Sequence, residues 1–176
     1  MELQTVIAKR RSCRAYLDRE VSVEQIRECV NAARLAPSAC NKQPWRFIAV
    51  RDANLRMRIC REAILPGIQM SWLTQAPVLM VLCMKKKLLT HILAPLLSGI
   101  HYEYIDIGIA GEHFVLAAEE QGLGTCWIGW INAVKIRKIL DLPLNETPVA
   151  LISLGYPAEE SESRPRMELD EILEIR

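Results

Sequence analysis

The sequence predicts an α+β domain, a mixed sheet flanked by helices. Three observations carry that expectation. Four apolar runs of strand length, at 45–50, 77–84, 125–130 and 148–154, are separated by segments of helical periodicity. Helices and strands follow one another irregularly, with no regular βαβ series. No GxGxxG follows a strand, which disfavours a doubly wound dinucleotide-binding domain. The chain has 176 residues, the length of one domain spanning 1–176, and shows no repeat, linker or low-complexity stretch. A domain near this size hides roughly 70% of its unfolded surface, enough for a core without a metal or disulfide. Apolar residues make up 51% of the chain, slightly above the ordinary level, as in a domain that buries some surface against a partner.

Residues 2–9 read as a short helix with Leu3, Val6 and Ile7 on one side. Ser22 starts a second helix, and Gln25 three places later completes a capping-box signature. Val23, Ile26, Val30 and Ala33 recur at helical spacing, and Ala36-Pro37 ends the segment. Trp45 to Val50 is a buried strand, and residues 53–63 are helical. Pro77 opens PVLMVLCM, apolar throughout and therefore covered on both faces, with Lys85 to Lys87 as a solvated turn. Residues 102–121 form a central helix ended by Gly122. TCWIGW is the third strand, Asn132 caps a helix running to Leu140, and VALISL is the fourth strand, broken by Gly155. The closing ELDEILEIR is a short helix or an arm that packs on a neighbour.

Several classes are excluded as expectations. Formal net charge is +1, so there is no overall bias toward nucleic acid or membrane. The first residues lack the apolar stretch of a signal peptide, and the run Leu88 to Ile100 is too short to span a bilayer and contains Pro95. Six cysteines, with no CxxC pair, read as reduced thiols, mostly small core residues. They and the three histidines give no metal-ligand spacing. The expectation is a cytoplasmic protein without a structural metal.

Four segments could carry chemistry. In Arg10-Arg11-Ser12-Cys13-Arg14, guanidinium forks suit phosphate oxygens; the same residues also suit a solvated basic helix end. Pro37, Ser38, Ala39, Asn41 and Gln43 lie in a loop fixed by two prolines, able to meet a planar heterocycle or simply to join helix to strand. In GLGTCWIGW, a helix C-cap running into a strand accounts for Gly122 and Gly124 but not for Gly129, where backbone could approach a flat ligand. After GYP and the acidic EESES come Arg164 and Arg166, either the completion of an anion site begun by Arg10 or a surface tail.

Together, RRSCRAY, APSACNKQPWRF, DIGIAGEHFVLAAEEQGLGTCWIG and ISLGYPAEESESRPR resemble the FMN-dependent nitroreductase family, in family order and over nearly the whole chain. The resemblance implies a mainly antiparallel α–β sandwich forming a homodimer, with FMN held at the interface. Arg10, Arg11, Ser12 and Arg14 match the first FMN motif, with Arg10 and Ser12 on the ribityl phosphate and Arg14 near the pyrimidine edge. Pro37, Ser38, Ala39 and Asn41 match the loop lent by the other subunit. Gln69 falls near a position whose amide contacts the ring. Ile128 and Gly129 match the backbone facing the reactive flavin nitrogen, and Arg164 and Arg166 the closing basic pair. Two departures stand out. Trp72 falls about where relatives place a lysine near the flavin carbonyl, and 85–101 is too short for the helical excursion of longer relatives.

The chemistry so implied is a ping-pong exchange. NADH or NADPH gives hydride to the flavin and leaves, and a nitroaromatic, quinone or similar conjugated acceptor takes two electrons. No protein nucleophile or acid–base pair is required, so no catalytic side chain is assigned, and His113 is a structural or pocket residue. The alternatives are a reductive dehalogenase-like relative or a flavin storage or sensing module without turnover.

Overall fold

The computed structural model describes residues 2–85 and 98–176. Lys86, Lys87 and most of the 85–101 segment lie outside the described residues. Four strands, β1 (Trp45–Val50), β2 (Val78–Lys85), β3 (Gly124–Ile128) and β4 (Glu146–Gly155), form one sheet in the order β1-β2-β4-β3. Every pairing between them is antiparallel. The parallel component of the expected mixed sheet is a single bridge, Ser12 with Thr125, among the described residues. The described helices are α1 (Leu3–Lys9), α2 (Val23–Ala33), α3 (Ala53–Glu62), α4 (Tyr102–Glu120), α5 (Ala133–Ile139) and α6 (Leu169–Ile172). None of them is long and apolar enough to cross a membrane.

The apolar run of β2 has the consequence its composition demands. Side chains alternate across a strand, so Val78, Met80, Leu82 and Met84 face one way and Leu79, Val81 and Cys83 the other. The first set packs with Ile26, Cys29 and Ala33 of α2 and with Ile107, Phe114 and Ala118 of α4. The second packs with Ile59 of α3, Ile136 of α5 and Leu73. Each large apolar side chain so buried contributes about 1.5–3 kcal/mol before entropic costs. Phe47 stacks on Phe114 at 5.6 Å between ring centroids, which ties β1 to α4.

Helix ends are satisfied at Ser22, Asn132 and Gly122 as the sequence indicates, and at Asp52, which the sequence reading does not name. The Ser22 hydroxyl accepts from the Gln25 amide at 3.1 Å, and the Gln25 side chain accepts from the Ser22 amide at 3.2 Å. Asn132 caps α5 through the Lys135 amide at 3.0 Å, and Asp52 caps α3 through Leu55 at 2.8 Å. At the end of α4, Gly122 takes φ 73°; its amide bonds to the Glu119 carbonyl and that of Leu123 to Ala118, both at 2.9 Å. That double closure uses the freedom of glycine in the left-handed region.

Two glycine assignments need correction. Gly124 is not part of the helix cap: a Cβ there would lie 2.7 Å from Cβ and Sγ of Cys13. Gly155 does not break β4 but belongs to it, paired with Gly124. A Cβ on Gly155 would meet Cδ of Pro77 at 2.6 Å and Cδ1 of Tyr16 at 2.8 Å. Both glycines admit other chain segments against the sheet. On α1, only Val6 is buried, while Leu3 and Ile7 are 67% and 54% exposed, so that apolar side is not spent on this chain's own core.

Candidate functional site

The segment after α1 cannot wander. The Cys13 amide donates to the Thr125 carbonyl at 2.8 Å, which lays residues 12–13 along β3. Buried Tyr16 donates its hydroxyl to the Cys13 carbonyl at 2.9 Å and shares a 2.6 Å hydrogen bond with the buried Ser153 hydroxyl of β4. Downstream of β4, the Ala158 amide donates to the Ala15 carbonyl at 3.0 Å, and the Leu17 amide donates to the Tyr156 carbonyl at 2.9 Å. The chain after Gly155 therefore runs beside the arginine segment, although about 150 residues separate the two in sequence.

This juxtaposition makes a cavity of about 150 Å³ lined by Arg10, Arg11, Ser12, Arg14, Glu162, Arg164 and Arg166. Five guanidiniums and a hydroxyl face one carboxylate, so the cavity is strongly cationic and rich in hydrogen-bond donors. The Arg10 guanidinium has Glu112 of α4 at 3.9 Å. Arg11 is engaged differently. It donates to the Ala8 carbonyl at 2.5 Å, to the Arg10 carbonyl at 3.0 Å and to the Ser163 hydroxyl at 3.4 Å, pinning the C-terminal segment to the end of α1. The Arg14 guanidinium stands 6.0 Å from the centroid of the Trp72 ring. Burial pushes the Cys126 thiol up, against the opposing pull of Arg14, the Ser12 hydroxyl and Arg10. Burial also raises Glu119, opposed by Arg10, Arg11 and Lys9.

The other residues singled out from sequence lie outside that cavity within this chain. Pro37, Ser38, Ala39 and Asn41 sit on a loop against α4, where the Ala39 amide donates to the buried Asp106 carboxylate at 3.0 Å. The loop is tightly wound. Cys40, Asn41 and Gln43 have φ of 50°, 53° and 47°. The Gln43 amide donates to the Ser38 hydroxyl at 2.9 Å, and its side chain donates to Asn41 at 2.8 Å. Each such conformation costs about 1–3 kcal/mol at a non-glycine residue and concentrates at ligand clamps. Ile128 closes β3 as a buried residue, while Gly129 beyond it faces open space where a Cβ would meet nothing within 4 Å. Gln69 is exposed just before the turn 71–75 that carries half-buried Trp72. His113 is half-buried inside α4.

Asp106 and Glu162 escaped the sequence reading. Asp106 carried a signal, since a carboxylate stands there among the apolar residues of the central helix; its partner is not legible because the loop lies 67 positions away. Glu162 is lost in an acidic stretch, and nothing in EESES marks one of its members as facing arginines.

The family model described as the nitroreductase family matches residues 7–69 and 61–156. The chain is 36% identical over 167 residues to a protein of Archaeoglobus fulgidus provisionally named a NADH dehydrogenase/NAD(P)H nitroreductase, covering 92% of this chain and 88% of the relative. It is 32% identical over 173 residues to the FMN reductase [NAD(P)H] of Bacillus subtilis, covering 89% of this chain and 66% of that protein. Among solved structures, a nitroreductase family protein from Clostridium difficile 630 superposes with a TM-score of 0.81 at 30% identity, over 99% of this chain and 98% of the other.

Proposed function

This chain belongs to the nitroreductase family, and from that premise we propose that it is an NAD(P)H-dependent oxidoreductase that uses FMN to reduce nitroaromatic, quinone or similar conjugated acceptors. The observation that supports this most is the convergence of Arg10, Ser12, Arg14, Arg164 and Arg166 on one cavity. Guanidinium forks and a hydroxyl are the donor set a phosphate monoester requires. The cavity is also too small for more than the phosphate end of such a cofactor, so the ring must lie beyond it.

FMN, when bound, supplies the hydride and electron chemistry; the protein supplies position and electrostatics. Arg10, Ser12, Arg164 and Arg166 hold the phosphate. Arg14, at the edge of the same cavity, places positive charge toward the pyrimidine side, where charge grows on reduction. Ile128 and Gly129 give a wall at the end of β3 on which a flat ring can rest without meeting a side chain at 129. Pro37, Ser38, Ala39 and Asn41 act on the site of the other subunit in a homodimer, and Gln69 reaches the ring edge. The nicotinamide and the acceptor would bind in turn at one shared site, and no side chain of this chain would be required to move a proton.

A visible spectrum of the purified protein, followed by anaerobic addition of NADPH, tests the proposal. A flavin spectrum that bleaches and then recovers on adding a quinone is the expected result. Colourless protein that takes up no added FMN would overturn it.

A further inference from the structure

Arg14 is exposed, yet it lines the cavity, and among the described residues no carboxylate lies within ion-pair distance of its guanidinium. A long exposed arginine has about 2 kcal/mol of rotamer entropy to lose on being fixed. No salt bridge among the described residues orients it. The group at hand is the ring of Trp72, whose centroid lies 6.0 Å from the guanidinium carbon. Trp72 is itself held: its turn, Ser71–Gln75, also carries buried Leu73, and the indole packs against the core cluster beneath the sheet. The turn is closed by the Leu73 amide on the Met70 carbonyl at 3.0 Å and the Thr74 hydroxyl on the Ser71 carbonyl at 2.8 Å.

The choice of an aromatic partner has a consequence that a carboxylate would not. An aromatic face attracts a cation through its quadrupole and carries no net charge. It can therefore hold a guanidinium in place without cancelling the charge that an anionic ligand must feel. A carboxylate at the same place would fix the arginine equally well and neutralise it.

We propose that Trp72 is a positioning residue that holds the Arg14 guanidinium over the cavity edge with its charge undiminished, so that one oriented cation tunes the bound cofactor. The proposal rests on the FMN reading for its ligand, while the Trp72–Arg14 pair itself is a property of the chain alone. The pair is worth about a two- to fivefold change in affinity, the range expected of such a contact at an exposed site.

The test combines a flavin-free readout with a flavin-bound one. In the protein without flavin, the expected result is an Arg14 side-chain Nε–H resonance displaced by the ring current of Trp72. It keeps that displacement in Trp72→Phe and moves to its free-arginine position in Trp72→Leu. In the holoprotein, Trp72→Leu weakens FMN about two- to fivefold and makes the midpoint potential more negative, because charge on the reduced ring loses its oriented cation. Trp72→Phe restores most of both. In an Arg14→Ala background, Trp72→Leu changes neither quantity further. An undisplaced Arg14 resonance in the unmodified protein, or equal effects of Trp72→Leu with and without Arg14, would overturn the proposal whether or not flavin binds. A displaced resonance in a protein that takes up no FMN would retain the pair and reject the cofactor reading instead. Should Trp72→Leu not fold, Trp72→Met, which keeps the bulk without an aromatic face, completes the same cycle with Arg14→Ala.

Discussion

Arg10 and Arg11 are neighbours of the same type with different duties. Arg10 lines the cavity with Glu112 at 3.9 Å as its ion-pair partner among the described residues, whereas Arg11 makes three hydrogen bonds to the protein itself. A hydrogen bond to a charged group contributes about 1.5–3 kcal/mol. Arg10→Ala should therefore weaken FMN about ten- to hundredfold, measured by fluorescence titration, with little change in melting temperature. Arg11→Ala should lower the melting temperature as well, since it releases the C-terminal segment. Glu162 acts with the opposite sign: among the described residues it is the one carboxylate lining the five-arginine cavity, so Glu162→Gln should tighten FMN by a few fold at low salt, and the gain should shrink as salt screens it. A weaker cofactor in that variant would mean the carboxylate organises the arginines rather than competing with the phosphate. The six thiols also sort by environment. Burial pushes Cys29 and Cys83 up to about 12 and Cys60 up to about 11, whereas Cys40 is exposed. A disulfide reagent at neutral pH should react first at Cys40 in the flavin-free protein, and Cys40→Ser should remove that fast phase.

Among the elements, the two glycines that flank the start of β3 separate folding from function. Gly122 ends α4 at φ 73°, and a methyl added there would meet nothing within 4 Å. Gly122→Ala should cost about 1 kcal/mol of stability and leave cofactor affinity alone. Gly124→Ala would drive a methyl into Cys13, which stands between Ser12 and Arg14. Overpacking of that kind costs typically about 1–3 kcal/mol, and here the displaced segment is the arginine turn itself, so flavin content should fall with stability. Unfolding curves and the flavin-to-protein ratio of the two variants, compared side by side, decide it. The loop at 37–43 tells a related story. Its prolines and small polar residues mark it as a turn, but its three left-handed residues, and the Ala39 amide that donates to Asp106 of the central helix, are not legible in composition.

For the molecule as a whole, an alkaline limit follows from the buried thiols. Cys29 and Cys83 have pKa values raised from 9.0 to about 12 in the folded chain, so folded protein retains protons that unfolded protein loses. Their contribution is fully present below about pH 9 and is lost as pH rises toward 12. The melting temperature should hold to about pH 9 and then fall, and Cys83→Ala should flatten part of that fall. The apolar faces of α1 and of the C-terminal helix are open, with Leu3, Ile7, Leu169 and Ile172 each more than half exposed, and the proposed homodimer would need such a surface. If the 37–41 loop completes its partner's site, dilution to monomer should release FMN. A monomer that keeps it tightly would place the whole site within one chain.

By itself the sequence determined what depends on neighbours along the chain. Helix starts at Ser22 and Asn132, the stop at Gly122 and the doubly covered strand 78–85 all follow from local capping chemistry and side-chain alternation, which act over three or four residues. The arginine motifs are visible there too, but spacing alone leaves them as rival readings, because a guanidinium row on a solvated helix end has the same spacing as one around a phosphate; the family resemblance is what points them to a phosphate. Tertiary structure brings Arg164 and Arg166 to the cavity that Arg10 lines, and it alone decided that Gly124 and Gly155 make room for Cys13 and Tyr16 and that Arg14 meets Trp72. Those pairings are set by the sheet order and by hydrogen bonds between distant segments, and no local spacing encodes where a strand's end will lie in space.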